Sequence, residues 1–317
     1  VTLLLGRTTP ALLAAYLQAL DLLITNDTGP MHLAAAVATP TVALFLAGAR
    51  VQDTGPVGPG HVILEAELDC HPCQAPCPGL RCAKAITPDA VFWWAARLLN
   101  QEPLNPVDEE DAWPGLRVCG SGTDPEGYHT YLPLVRRPLD RRDFWMWLQR
   151  LTWGRVLDQP DCAGVELQKW LEWMLFRHYL PPREDLGIMT GDNFLLDLCR
   201  TAAQGEKIAG DIILMADCSR EYPVRLWQKI EALREVDQGL RRLAVAFPAL
   251  AALVEFFFQE QWDRQDNEVA PLAGELQGAY AFLRRLGEAA LTCLAELKLI
   301  LGIPEGRGNF PELARPV

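Results

Sequence analysis

The sequence predicts an α/β fold over residues 1 to about 100, followed by a mostly α region with a helical C-terminal extension. Three observations predict it. Short, partly β-branched apolar runs alternate with Ala- and Leu-rich stretches near the N-terminus, an order that implies a parallel sheet covered by helices. An acidic stretch broken by Pro and Gly then spans Gln101 to about Gly127, a linker-like composition. Beyond Asp140, Trp, Leu and Met recur at three- and four-residue spacing nearly to the end, the period of amphipathic helices.

The elements follow in order. "VTLLLG" reads as a strand ending on Gly6, and "RTTPALLAAYLQAL" as a helix with a threonine cap and Pro10 near its first turn. Leu22 to Thr25 is a short buried strand, Met31 to Val37 an Ala-rich helix, and Thr41 to Phe45 a second buried strand. A Gly/Pro-rich loop runs from Ala47 to Gly60, "HVILEA" is a further strand, and "ITPDAVFWWAARLLNQ" is a helix entered through Thr87 and Pro88. This is about half of a doubly wound, Rossmann-like domain. Residues 101–139 read as a linker in which "YHTYLPLVRRPL" forms a strand or hairpin, residues 140–302 as a helical domain, and 303–317 as a loose tail. Two long helices near the end, "PVRLWQKIEALREVDQGLRRLAVAF" and "APLAGELQGAYAFLRRLGEAALTCLAELKLILG", are expected to pack antiparallel.

Composition narrows the function. At 317 residues the chain is long enough for two domains, and 50% apolar with 22% charged residues is ordinary globular composition. A formal charge of −12 argues against general affinity for nucleic acid, although a local site on an acidic protein can still take a nucleotide. No apolar run is long enough for a membrane span; Leu243 to Phe258 is interrupted by Pro248 and Glu255 and reads as a buried helix. The chain opens on Val1 within an apolar run and shows no secretory signal, so we expect a fragment, a processed product or a misplaced start. Nine cysteines without an export signal point to a reducing compartment.

The most informative stretch is "ITNDTGPMHLAAAVATPTVALF". Asn26-Asp27-Thr28-Gly29 falls on the turn from a strand into a helix, where free N–H groups and the helix dipole favour an anion. Gly29 lets a phosphate approach the backbone, Thr28 offers a hydroxyl and an N–H, and His32 lies one turn into the helix on the same side. A carboxylate would repel a diphosphate, so Asp27 is expected to address sugar hydroxyls and the helix end the phosphates. The bland alternative is a helix cap and tight turn.

"DLLITNDTGPMHLAAAVATPTVALF" resembles the nucleotide-sugar-binding signature of glycosyltransferase family 9, the heptosyltransferases of lipopolysaccharide core synthesis. "GRTTPALLAAYLQAL", "TGPVGPGH" and "CHPCQAPCPGLRCAKAITPDAV" extend the similarity over about residues 1–98. The resemblance implies the C-terminal donor half of a two-domain GT-B fold. It also implies a nucleoside-diphosphate sugar as donor, a glycan or lipid-linked glycan acceptor, and Asp27, Thr28, Gly29 and His32 as donor contacts. By the same analogy the protein would act in the cytoplasm, or peripherally at the inner membrane. The family's acceptor domain and general base have no counterpart here, so a second chain could supply them in a split enzyme. The rival expectation is a helical interaction or scaffold protein carrying a relic transferase segment.

Cys70, Cys73, Cys77 and Cys82, with His71 among them, form a loop whose four thiols suit a structural zinc, or less well an iron–sulfur cluster. Reduced thiols packing a loop, or a disulfide formed on handling, are the alternatives. Isolated His129 and His178 read as structural, and "GTDPEG" as a turn. "RRPLDRR" reads as a solvated helix start with Asp140 pairing, or as a patch for anionic headgroups. The Trp-rich run from Phe144 to Trp153, with Trp170 and Trp173, reads as core packing, with an acceptor groove as the alternative.

Overall fold

The structure, a computed structural model, describes residues 4–70, 73, 79–108, 113–124, 127–157, 165–183, 185–216, 223–262 and 269–303. In chain order the first elements are α1 (Pro10–Gln18), β1 (Leu23–Asn26), α2 (Gly29–Ala36), β2 (Thr41–Phe45), α3 (Val51–Thr54), β3 (His61–Ala66), α4 (Arg81–Ala85) and α5 (Pro88–Leu99). Then come β4 (Leu116–Thr123), β5 (His129–Pro133), β6 (Arg137–Pro138), α6 (Arg141–Leu157), α7 (Val165–His178) and β7 (Tyr179–Leu180). The last are α8 (Ile188–Ala216), α9 (Pro223–Ala246), a 3-10 turn at Pro248–Leu250, α10 (Ala251–Trp262) and α11 (Val269–Ile300). They divide into two units: Val1–Pro138 with Val165–Pro181, and Leu139–Gly164 with Pro182–Val317.

The first unit is built on one five-stranded sheet in the order β1-β2-β3-β4-β5. β1, β2 and β3 are parallel, with Leu23 beside Thr41 and Thr41 beside His61. β4 and β5 continue the sheet antiparallel, Val62 facing Gly120 and Cys119 facing Pro133. The predicted α/β class is therefore met by a mixed, mainly parallel sheet. Two local readings change. Leu5 and Gly6 form a turn rather than the end of a strand, and Val1 to Leu3 lie outside the described residues. Leu116–Thr123, inside the stretch read as linker, is a buried strand. Its glycines disguise it: a Cβ on Gly120 would meet Leu134 side-chain carbons at 3.0–3.2 Å.

Strand alternation sends side chains to two cores. Val42, Val62, Leu64 and Val118 pack with Ala90 and Trp94 of α5, while Ala43, Phe45 and Ile63 pack with Met31 of α2 and Val51 of α3. Trp94 is fully buried; an indole of that size is worth about 4–6 kcal/mol of transfer free energy at roughly 25 cal/mol per Å². Helix starts follow their caps. Thr9 accepts from the Leu12 N–H at 3.3 Å before Pro10, and Thr87 accepts from the Ala90 N–H at 3.3 Å before Pro88. α7 belongs to this unit too, and the buried His178 at its end meets the Pro133 carbonyl through Nδ1 at 2.6 Å.

The second unit is helical. Asp140 caps α6, accepting from the Asp143 N–H at 2.8 Å, and Phe144, Trp145, Trp147 and Leu148 form its buried face. Core packing thus accounts for these aromatic residues. The two long helices expected to pair with each other instead share α8: α11 packs along α8, and α9 packs against α8. Glycines permit the close approach, since a Cβ on Gly205 would lie 2.5 Å from Tyr280 Cδ1 and one on Gly287 2.7 Å from Cys199 Sγ. The buried Lys298 Nζ meets Asp192 Oδ2 at 2.5 Å. Among the described residues no helix is long and apolar enough to cross a membrane.

Candidate functional site at the strand-to-helix turn

β1 ends at Asn26 and α2 begins at Gly29, so Asp27 and Thr28 form the turn between them. Thr28 is extended at φ −153° and ψ 167°, and no side chain caps α2. Its hydroxyl instead donates back to the Asn26 carbonyl at 3.2 Å and lies 3.4 Å from Thr25 Oγ1. Nothing lies within 4 Å of where a Gly29 Cβ would stand, and Thr28, Gly29 and Pro30 are exposed. An exposed helix start with no side-chain cap leaves its first N–H groups available to an anion.

Asp27 and His32 come together beside this start, His32 Nε2 lying 3.9 Å from Asp27 Oδ1. The His32 ring is half exposed, whereas Asp27 is only 21% exposed. The other carboxylate oxygen, Oδ2, accepts from the Thr54 hydroxyl at 2.7 Å. Thr54 was not among the residues singled out from the sequence. The signal was present all the same: the chain contains Asp-Thr-Gly-Pro twice, at Asp27–Pro30 and Asp53–Pro56. The first copy supplies the acceptor and the second the donor.

The segment bearing Thr54 is held from beneath by the sheet. Glu65 on β3, buried, accepts from the Val51 N–H at 2.9 Å and so caps α3. Beyond α3, His129 Nδ1 accepts from the Gly58 N–H at 3.3 Å, and Tyr131 Oη donates to the Pro56 carbonyl at 3.5 Å. Ser121 Oγ accepts from the His61 N–H at 2.9 Å. Burial lowers the pKa of His129, and burial together with His129 lowers that of His61, so both rings favour the neutral form. Neutral His129 can accept at Nδ1, which the Gly58 contact requires. Tyr131 is pushed well above its usual value by burial and by Cys119.

Of the four cysteines of the loop, three fall among the described residues. Cys77 and His71 lie outside the described residues, and Cys70, Cys73 and Cys82 are free thiols. Among the described residues no group of three or more metal-ligating side chains comes together. The basic patch is tied internally: Arg137 reaches Glu67 at 2.6 Å and Arg136 reaches Asp108 at 3.1 Å. Burial alone would raise the Glu67 pKa, but the Arg117 and Arg137 guanidinium groups outweigh it and hold it at about 2.

A parallel β-turn-α unit with an open helix start is a geometry able to take an anion in α/β proteins. Comparison with known proteins narrows the possibilities. Residues 1–80 match the model of glycosyltransferase family 9 (heptosyltransferase). The chain is also 35% identical over 104 residues to Lipooligosaccharide heptosyltransferase 2 of Campylobacter jejuni subsp. jejuni serotype O:2. That alignment takes in 32% of this chain and 33% of the relative, so the chain spans about a third of the relative's length. No solved structure matches significantly.

Proposed function

We propose that the first unit is the donor-binding part of a glycosyltransferase of the heptosyltransferase type. It would bind a nucleoside-diphosphate sugar for transfer to a lipopolysaccharide-like surface-glycan acceptor. One observation carries the reading: the family match covers the open helix start at Thr28–Gly29, with Asp27 and His32 beside it. In this reading the helix start takes the diphosphate and stabilises the charge that develops on it as the sugar leaves. Asp27 orients sugar hydroxyls, and His32 lies where it can reach the same ligand. The GT-B architecture, a cytoplasmic or peripheral inner-membrane location and an acceptor domain from the same or a second chain belong to this proposal. A zinc at Cys70, Cys73, Cys77 and Cys82 is a separate proposal supported by thiol spacing alone, and metal content of the purified protein tests it.

The test is a thermal-shift titration with ADP, UDP and GDP on the wild type and on Thr28→Trp. Ligand at 100 times its Kd stabilises a protein by about 2.7 kcal/mol, so a binding nucleotide raises Tm by several degrees. We expect one nucleotide to do so, and Thr28→Trp to abolish the shift by blocking the helix start. No shift with any of the three would refute the reading and favour the scaffold alternative, in which the second unit, outside the family match, carries the function.

A further inference from the structure

We infer that Thr54 is the positioning residue of the donor site, fixing the Asp27 carboxylate so that Oδ1 is presented to the sugar. The inference rests on the donor-site reading above and adds a specificity element that the strand-to-helix turn does not itself contain.

Asp27 sits on a turn and is mostly but not fully buried, so its carboxylate plane needs an external reference. The Thr54 hydroxyl provides one by donating to Oδ2 at 2.7 Å, a short hydrogen bond to a charged acceptor. With Oδ2 engaged, Oδ1 is the oxygen that lies 3.9 Å from Nε2 of the half-exposed His32.

Thr54 can serve as a reference because its own position is built into the sheet. Its N–H donates to the Arg50 carbonyl at 3.2 Å, and the next N–H, of Gly55, donates to the Val51 carbonyl at 2.9 Å. The start of that short helix is clamped by Glu65, a residue of the central strand β3. The residues just after it rest on Tyr131 and His129 of β5. A side chain held this way holds its partner to a geometry that a mobile loop could not. Preorganising one carboxylate oxygen lowers the ordering cost of binding the hydroxyls it accepts from.

The experiment compares two affinities by calorimetry: that for the nucleoside diphosphate (ADP, UDP or GDP) giving the largest thermal shift, and that for the same nucleotide carrying a heptose. Wild type, Thr54→Val, Thr54→Ala and Thr54→Ser are measured. Thr54→Val keeps the shape and removes the hydroxyl, Thr54→Ala repeats the test without a branched side chain, and Thr54→Ser restores the donor. The expected result is that Val and Ala weaken nucleotide-heptose binding about tenfold, the effect of one hydrogen bond to a charged group. Affinity for the bare nucleotide should stay within about twofold, and Ser should recover most of the loss. A merely structural role would weaken both ligands together, and that outcome overturns the inference. So does a wild type that gains nothing from the heptose, or Val and Ala variants that leave both affinities unchanged. If the wild type binds neither ligand, the donor-site reading itself fails.

Discussion

Gly55→Ala separates two opposing effects at the segment that delivers Thr54. Gly55 has φ −62° and ψ 159°, a conformation any residue adopts. On backbone grounds alone, alanine would stabilise the fold by about 0.4–1 kcal/mol through a less disordered unfolded chain. Packing opposes this. The added Cβ would stand 2.5 Å from Tyr131 Cζ and 2.6 Å from Val51 O, against about 3.5 Å at ordinary contact. Relief requires roughly 1 Å of movement on two sides at once. The tyrosine ring can tilt, but Val51 O belongs to the backbone of α3, whose first N–H is clamped by the buried Glu65. Overpacking of this kind costs about 1–3 kcal/mol and exceeds the entropic gain. Urea unfolding gives the magnitude, and hydrogen exchange over residues 51–66 against 188–216 assigns the loss to the first unit. Adding Tyr131→Leu should restore part of the loss by removing the ring, though not the Val51 O contact. A Gly55→Ala protein as stable as the wild type, or more so, would refute the reasoning.

Acidification should destabilise the first unit. Burial lowers the pKa of His61, His129 and His178 below 6.5, so below about pH 6.5 the unfolded chain takes up protons that the folded rings exclude. Their contribution is complete above that pH and is lost as pH falls. Urea midpoints measured from pH 8 to pH 5 should therefore decline on the acid side, and a flat profile would count against neutral, buried rings. Glu67, held at about 2 against its usual 4.5, adds a further loss as pH falls from about 4.5 toward 2. In the second unit, Lys298→Met strands the carboxylate of Asp192, which is only 13% exposed. It should cost about 3–5 kcal/mol by denaturant titration, while Lys298→Met combined with Asp192→Leu should recover most of it.

The parallel part of the sheet was legible because β2 and β3 centre on the apolar runs Val42–Phe45 and Val62–Leu64, a pattern fixed by local sequence. What stayed hidden was hidden by glycine. The length of helix α8 is masked by Gly191, Gly205 and Gly210, yet each sits where a bulky partner needs the Cβ space: Trp145, Tyr280 and Gln277. Gly120 disguises β4 in the same way beside Leu134. At the candidate site, the nearness of Asp27 and His32 follows from spacing along one turn and one helix. The bond from Thr54 closes a gap of 27 residues. It depends on how β2 and β3 place α3 beside the end of β1, which no local pattern encodes.

The two units share the chain unevenly, and this bears on how the protein is made. Synthesis leaves the first unit at Pro138, lays down α6 for the second, and returns to the first with Val165–Pro181. Helix α6 therefore emerges before its partners α8 and α11, and its Arg155–Glu296 contact spans 141 residues. At roughly 5–20 residues per second, an apolar face bearing Phe144, Trp145, Trp147 and Leu148 waits many seconds for cover. Nascent chains stalled between residues 160 and 290 should thus be the aggregation-prone species, and a holding chaperone should improve yield by acting on that interval.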